Sequence, residues 1–119
     1  MARTAIAVQT PTGSYPALPL VALSADLAFV ASDVADGNYY ASTGKELVIV
    51  KNVGVAPVTV TVGSSADAQN REGDITDYSV AVDAISILGP FGINGWQQSD
   101  GSVEINGSSA DLEIAVLRL

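Results

Sequence analysis

The segment Pro57-Val58-Thr59-Val60-Thr61-Val62 constrains this chain more than any other. Successive side chains of an extended strand point to opposite faces, so its valines share one face and its threonines the other. A helix would scatter the same residues around its circumference. The valines are predicted to enter a core and the threonines to stay outside.

The rest of the chain repeats this grammar. Glu46 to Asn52 predicts a second strand, and its apolar run Leu47 to Val50 suggests burial on both faces. The linker Val53-Gly54-Val55-Ala56 predicts a hairpin between these two strands. Leu20 to Leu23, Leu27 to Val30, Tyr78 to Val82 and Ala84 to Leu88 are further strand candidates. In the last candidate, Leu112, Ile114 and Val116 alternate against Glu113, Ala115 and Leu117. Turn residues separate the runs at Asp36-Gly37-Asn38, Thr43-Gly44, Gly89-Pro90-Phe91-Gly92 and Asn106-Gly107. Asp100-Gly101, between Gln97-Gln98 and Val103 to Ile105, predicts a hairpin because both residues tolerate positive φ. No helical periodicity is sustained anywhere.

The chain has 119 residues, the size of one domain. About eight to ten short strands in that length predict an all-β fold, a single antiparallel β-sandwich or jelly-roll-like domain over residues 21–119. Residues 1–20 are predicted to form an extended N-terminal arm. Pro11, Gly13, Pro16 and Pro19 exclude a helix or a central strand there. Thr4 to Val8 can still pair along a sheet edge. The sequence leaves open whether the arm packs on its own domain or reaches a neighbour.

Two missing residue types bound the chemistry. The chain has no cysteine and no histidine. That removes disulfides, thiolate nucleophiles, the usual catalytic triads, the commonest general base and nearly all zinc chemistry. A non-enzymatic protein without a cofactor is expected. The net charge is −8, and only Arg3, Lys45, Lys51, Arg71 and Arg118 are basic. Such a chain cannot neutralise phosphates, so no nucleic-acid partner is expected. It is equally poor at binding anionic membranes. The acidity keeps copies soluble or suits a basic docking surface. The N-terminus Met1-Ala2-Arg3-Thr4 lacks the apolar run of a secretory signal. Residues 17–31 are fairly apolar, but Pro19, Ser24 and Asp26 interrupt them and the stretch is too short to span a bilayer.

Five constellations bear on chemistry. Glu72, Asp74 and Asp77, with Asp67 upstream, offer hard oxygens for calcium in the polar stretch Gly63 to Asp74. Their spacing does not match the twelve-residue calcium loop, and a solvated loop explains them as well. Asp100 with Glu104, or Glu104 with Glu113, would serve a glycosidase if opposed across strands. Their turn position and outward phase favour solvated charges. Trp96, Tyr39, Tyr40 and Tyr78 would make a sugar platform if coplanar, although a lone Trp beside glycine-rich turns more often anchors a core or interface. Lys45 and Lys51 have no context that suggests a nucleophile. Asn106-Gly107-Ser108 matches the glycosylation triplet; since no secretory signal is expected from Met1-Ala2-Arg3-Thr4, the match is expected to be accidental.

Several segments carry a resemblance when taken in order. They are Met1-Ala2-Arg3-Thr4, Thr43 to Asn52 followed by Val58 to Val62, and Arg71-Glu72-Gly73-Asp74-Ile75-Thr76. Gly89-Pro90-Phe91, Gly95-Trp96-Gln97-Gln98 and Ala115-Val116-Leu117-Arg118-Leu119 complete them. With these segments the chain resembles small tailed-phage virion proteins of the capsid decoration, or cement, type. The resemblance implies a protein made in the host cytoplasm and carried on the capsid exterior. It implies binding to the major capsid protein, with a homo-oligomer at symmetry points and a trimer favoured. Ala2, Arg3, Thr4 and Tyr15 of the arm, with Phe91 and Trp96 at the turns, are the expected capsid or subunit contacts. A jelly-roll carbohydrate- or receptor-binding module, or a tail or neck component, is the alternative.

Overall fold

The computed structural model describes residues 3–10, 27–65 and 73–118. They form mostly strands, arranged in two mixed sheets. The first sheet contains β1 (Thr4–Ala5), β4 (Asn38–Ala41), β9 (Ser102–Gly107), β6 (Val58–Val62) and β7 (Ile75–Val80), in that spatial order. The second runs β2 (Val8–Gln9), β10 (Leu112–Arg118), β5 (Glu46–Asn52) and β8 (Ile85–Leu88). β5 lines one side of β10 along its full length. The short β3 (Val30–Ala31) and β2 share its other side.

The all-β class follows the sequence pattern; β6 matches it residue for residue, and β5 does so except at Leu47, which is only half-buried. In β6 the valines are buried and the threonines half-exposed. In β5 Val48 and Val50 are fully buried, and Ile49 on the opposite face is buried too. One apolar cluster joins both sheets: Tyr40, Val58, Val60, Val62, Val103 and Ile105 from the first, Val48, Val50, Leu112, Ile114 and Val116 from the second.

The sheets are mixed rather than purely antiparallel because the N-terminal segment enters both. β1 runs parallel to β4, and β2 runs parallel to β10. Between them Ile6 is buried in the shared core. This stretch therefore packs on its own chain. The remainder of the expected arm, residues 1–2 and 11–20, lies outside the described residues, as does the candidate strand Leu20 to Leu23; of the candidate Leu27 to Val30, only Val30 lies in a strand.

The expected hairpin between β5 and β6 does not form. The two strands belong to different sheets, and Val53 to Pro57 is a crossover between them. The buried Asn52 holds that corner. Its amide donates to Ala56 O (2.8 Å) and Val80 O (3.1 Å), and its side-chain oxygen accepts from Gly54 N (2.9 Å). Asn52→Ala leaves the buried Val80 carbonyl without this donor, removes the bonds to Ala56 and Gly54, and is expected to cost about 2 kcal/mol in urea unfolding.

Two further turns differ in part from expectation. Asp100-Gly101 does form a tight turn, with Gln98 N donating to Ser102 O at 2.7 Å and Gly101 at φ +86°. Gln97-Gln98, however, is not a strand. Asn106-Gly107 is the end of β9, paired with Thr61 and Val60. Glycine serves close approach there: a Cβ on Gly107 would lie 2.8 Å from Ser32 Cβ and 2.9 Å from Leu112 Cδ2. Gly107→Ala is expected to lower stability by about 1–3 kcal/mol through overpacking, read by thermal or urea unfolding.

Candidate functional site

The expected contact residues fall at two separate places. Arg3 and Thr4 sit at the Asn38 end of β4. The Arg3 guanidinium pairs with Glu104 Oε2 at 3.2 Å and donates to Asn106 Oδ1 at 2.7 Å. Thr4 Oγ1 donates to Asp33 Oδ2, and this bond, with those from Asp36 and Ala35 backbone, lowers the Asp33 pKa. Ala2 and Tyr15 lie outside the described residues.

Phe91 and Trp96 sit beyond the other end of β4. A single turn at Ile93–Trp96, irregular at Asn94 (ψ 112°) and Gly95 (φ 103°), carries the indole. The next residue ties this turn to the residue just after β4: Gln97 Nε2 donates to Ser42 O at 2.9 Å. The turn also meets the base of the polar loop: Ser65 N donates to Gly95 O at 2.8 Å. Phe91 is 3% exposed, so it anchors the core rather than a partner. Trp96 packs on it, with ring centroids 4.7 Å apart and planes tilted by 57°. The structure thus does not bring the two expected contact groups together.

The aromatic platform is also dispersed. Tyr40 points into the core, its strand neighbour Tyr39 has the opposite phase, and Tyr78 stands on the terminal strand β7.

The carboxylates are engaged one by one. Glu104 belongs to the first sheet and Glu113 to the second, each alternating with buried neighbours. They therefore face outward on different sheets, Glu104 against Arg3 and Glu113 against Lys51 at 3.4 Å. Lys51 also lies 4.3 Å over the Phe29 ring. Asp100 accepts from Ser102 Oγ (2.6 Å) and N (3.1 Å), which lowers its pKa. Asp74 accepts from Ser64 N and Oγ at 2.8 and 2.7 Å, with the same effect. Of the calcium candidates, Asp67 and Glu72 lie outside the described residues. Among the described residues no three His, Cys, Asp or Glu side chains gather as a metal site.

The most developed polar cluster surrounds Glu46, whose role the strand reading did not anticipate. Its carboxylate is fully buried and accepts from Thr43 N (2.8 Å), Thr43 Oγ1, Lys45 N (3.3 Å) and Arg118 Nε (2.6 Å). Burial pushes its pKa up, but these donors outweigh burial and hold it at about 2. The buried Tyr40 phenol is pushed up, first by burial and then by the Glu46 charge. A signal was present: Glu46 and Arg118 share the inward phase of their strands and stand opposite each other in register. A carboxylate saturated with donors and held ionised stores charge well but has little tendency to take up a proton near neutral pH.

No family model, curated protein or solved structure matches the chain.

Proposed function

We propose that this chain is a non-enzymatic virion structural protein that decorates the outer surface of a major capsid protein lattice and stabilises the shell. In this reading the two sheets form a β-sandwich of jelly-roll type, and the chain acts as a homo-oligomer. The observation that carries the structural side is the state of the displaced carboxylates. Asp33, Glu46, Asp74 and Asp100 are all drawn toward the ionised form by donors of their own chain. Such groups knit a scaffold together, whereas a working acid or base needs a pKa near the operating pH. The virion itself is supported by the resemblance of the ordered segments.

The sugar-binding alternative is less favoured, because Trp96 packs part of its surface on Phe91 and Tyr40 is buried in the core. Deleting residues 2–15 is a poor probe of attachment, since it removes β1, Ile6 and β2 from the body. The better test adds the purified full chain to gradient-purified shells from the producing source. It is expected to co-sediment and to saturate at one copy, or a simple fraction, per coat subunit. A chain that stays in the supernatant while it binds a glycan surface overturns the proposal.

A further inference from the structure

We infer that β8 is a self-association edge, on which a second copy of this chain adds its own β8 antiparallel about a two-fold axis. A terminal strand presents unpaired backbone donors and acceptors, and proteins that stay monomeric blunt such edges. The sides of these sheets are treated differently. In the first sheet, terminal β7 carries the charged Asp77 at φ 50° and a register shift against β6 between Val60 and Val62. On the opposite side β1 is two residues long, and the preceding Arg3 is tied to Glu104. In the second sheet, β2 and β3 are two residues each. β8, Ile85-Ser86-Ile87-Leu88, has no charge, proline or bulge, and among the described residues it pairs only with β5.

Its outward side chains are apolar. Ile85 and Ile87 are 64% and 63% exposed. In register beside them on β5 stand Lys51 and Ile49. Ile49 is itself buried and the Lys51 charge is answered by Glu113, so on a chain of net charge −8 the exposed surface of this strand is its two isoleucines, with Asp83 two residues before Ile85 as the nearest acidic side chain along the chain. Contacts between copies through acidic surface elsewhere set like charges against each other.

The edge is also complementary to itself. Opposed residues of an antiparallel pair share a face. Placing the axis at Ser86 sets Ile85 of each copy opposite Ile87 of the other, and Ser86 opposite Ser86. Four isoleucines then close over the junction, rimmed by the two Lys51–Glu113 pairs. This association asks nothing of shell decoration and stands or falls separately from it.

Sedimentation equilibrium of the full chain tests it. At about 100 μM, above the micromolar Kd of a small interface, the expected mass is twice the 12.1 kDa of one chain. Ile87→Lys places a cation in the isoleucine cluster and is expected to weaken the dimer about 100-fold, with its thermal unfolding as a monomer unchanged. The cysteine-free chain allows a second check. Ser86→Cys is expected to form an intermolecular disulfide under mild oxidation, whereas Ile85→Cys, opposite Ile87, is not. A monomer at that concentration overturns the inference. So does an oligomer that Ile87→Lys leaves intact. A trimer overturns it as well, because a three-fold ring is built from heterologous contacts and cannot pair β8 with itself.

Discussion

Glu46→Gln is expected to lower stability by about 3 kcal/mol at pH 7 and by less than about 1 kcal/mol near pH 2. The ordinary carboxyl value of 4.5 falls to about 2 in the folded chain. At roughly 1.4 kcal/mol per pKa unit, that difference is free energy of folding. The sign follows from the direction of the shift. A depressed pKa stabilises the fold above about pH 4.5, and the contribution drains away as pH falls toward 2. Glutamine keeps the shape but loses the charge that answers Arg118 and the backbone donors of Thr43 and Lys45. Urea unfolding of both proteins from pH 7 to pH 2.5 checks this. The two stability curves are expected to converge on the acid side. A constant offset across the range would contradict this account, because a contribution from the ionised carboxylate must fall as the pH does.

Ile6→Ala is expected to cost about 2–5 kcal/mol, a large share of the roughly 5–15 kcal/mol by which a domain of this kind is stable. Ile6 is the buried residue between β1 and β2, where the chain passes from one sheet to the other. Its N–H donates to Tyr39 O at 2.8 Å, so the backbone is fixed on both sides of the side chain. A truncation starting at Thr10 removes Ile6, Val8 and both parallel pairings together. It is expected to exceed the point substitution and to leave the chain largely unfolded at 37 °C. Circular dichroism melts of both variants decide it. A truncated chain that melts like the parent would mean that residues 3–9 are an appended arm.

Faces were legible in the sequence and neighbours were not. Period two placed Val58, Val60 and Val62 inside and grouped Leu112, Ile114 and Val116 on one face, which is the buried one, because the pleat alone dictates phase. Nothing in that phase says which strand lies alongside. The crossover at Val53 to Pro57 therefore read as a hairpin, although β5 and β6 sit in different sheets. Asn106-Gly107 read as a turn because its chemistry suits one, whereas Gly107 answers to the steric demand of Ser32 and Leu112 from distant sequence.

The candidate contacts show the same boundary. Phe91 was expected at a turn as a capsid or subunit contact, and only the third dimension buries it. Glu46 and Arg118 were open to detection by phase, as charged residues on the inward side of otherwise apolar strands. Pairing them required the register of β10 on β5, which the two segments, well separated in sequence, do not encode locally.

Shell decoration by this chain is tested most directly by counting copies in native particles. Particles from the producing source are purified on a density gradient, and the 12.1 kDa chain is quantified against the major coat protein by mass spectrometry. A ratio of one to one, or of one to a small integer, is the expected result. A few copies per particle would place the chain in the tail or neck, and its absence from the particles would contradict a virion role altogether.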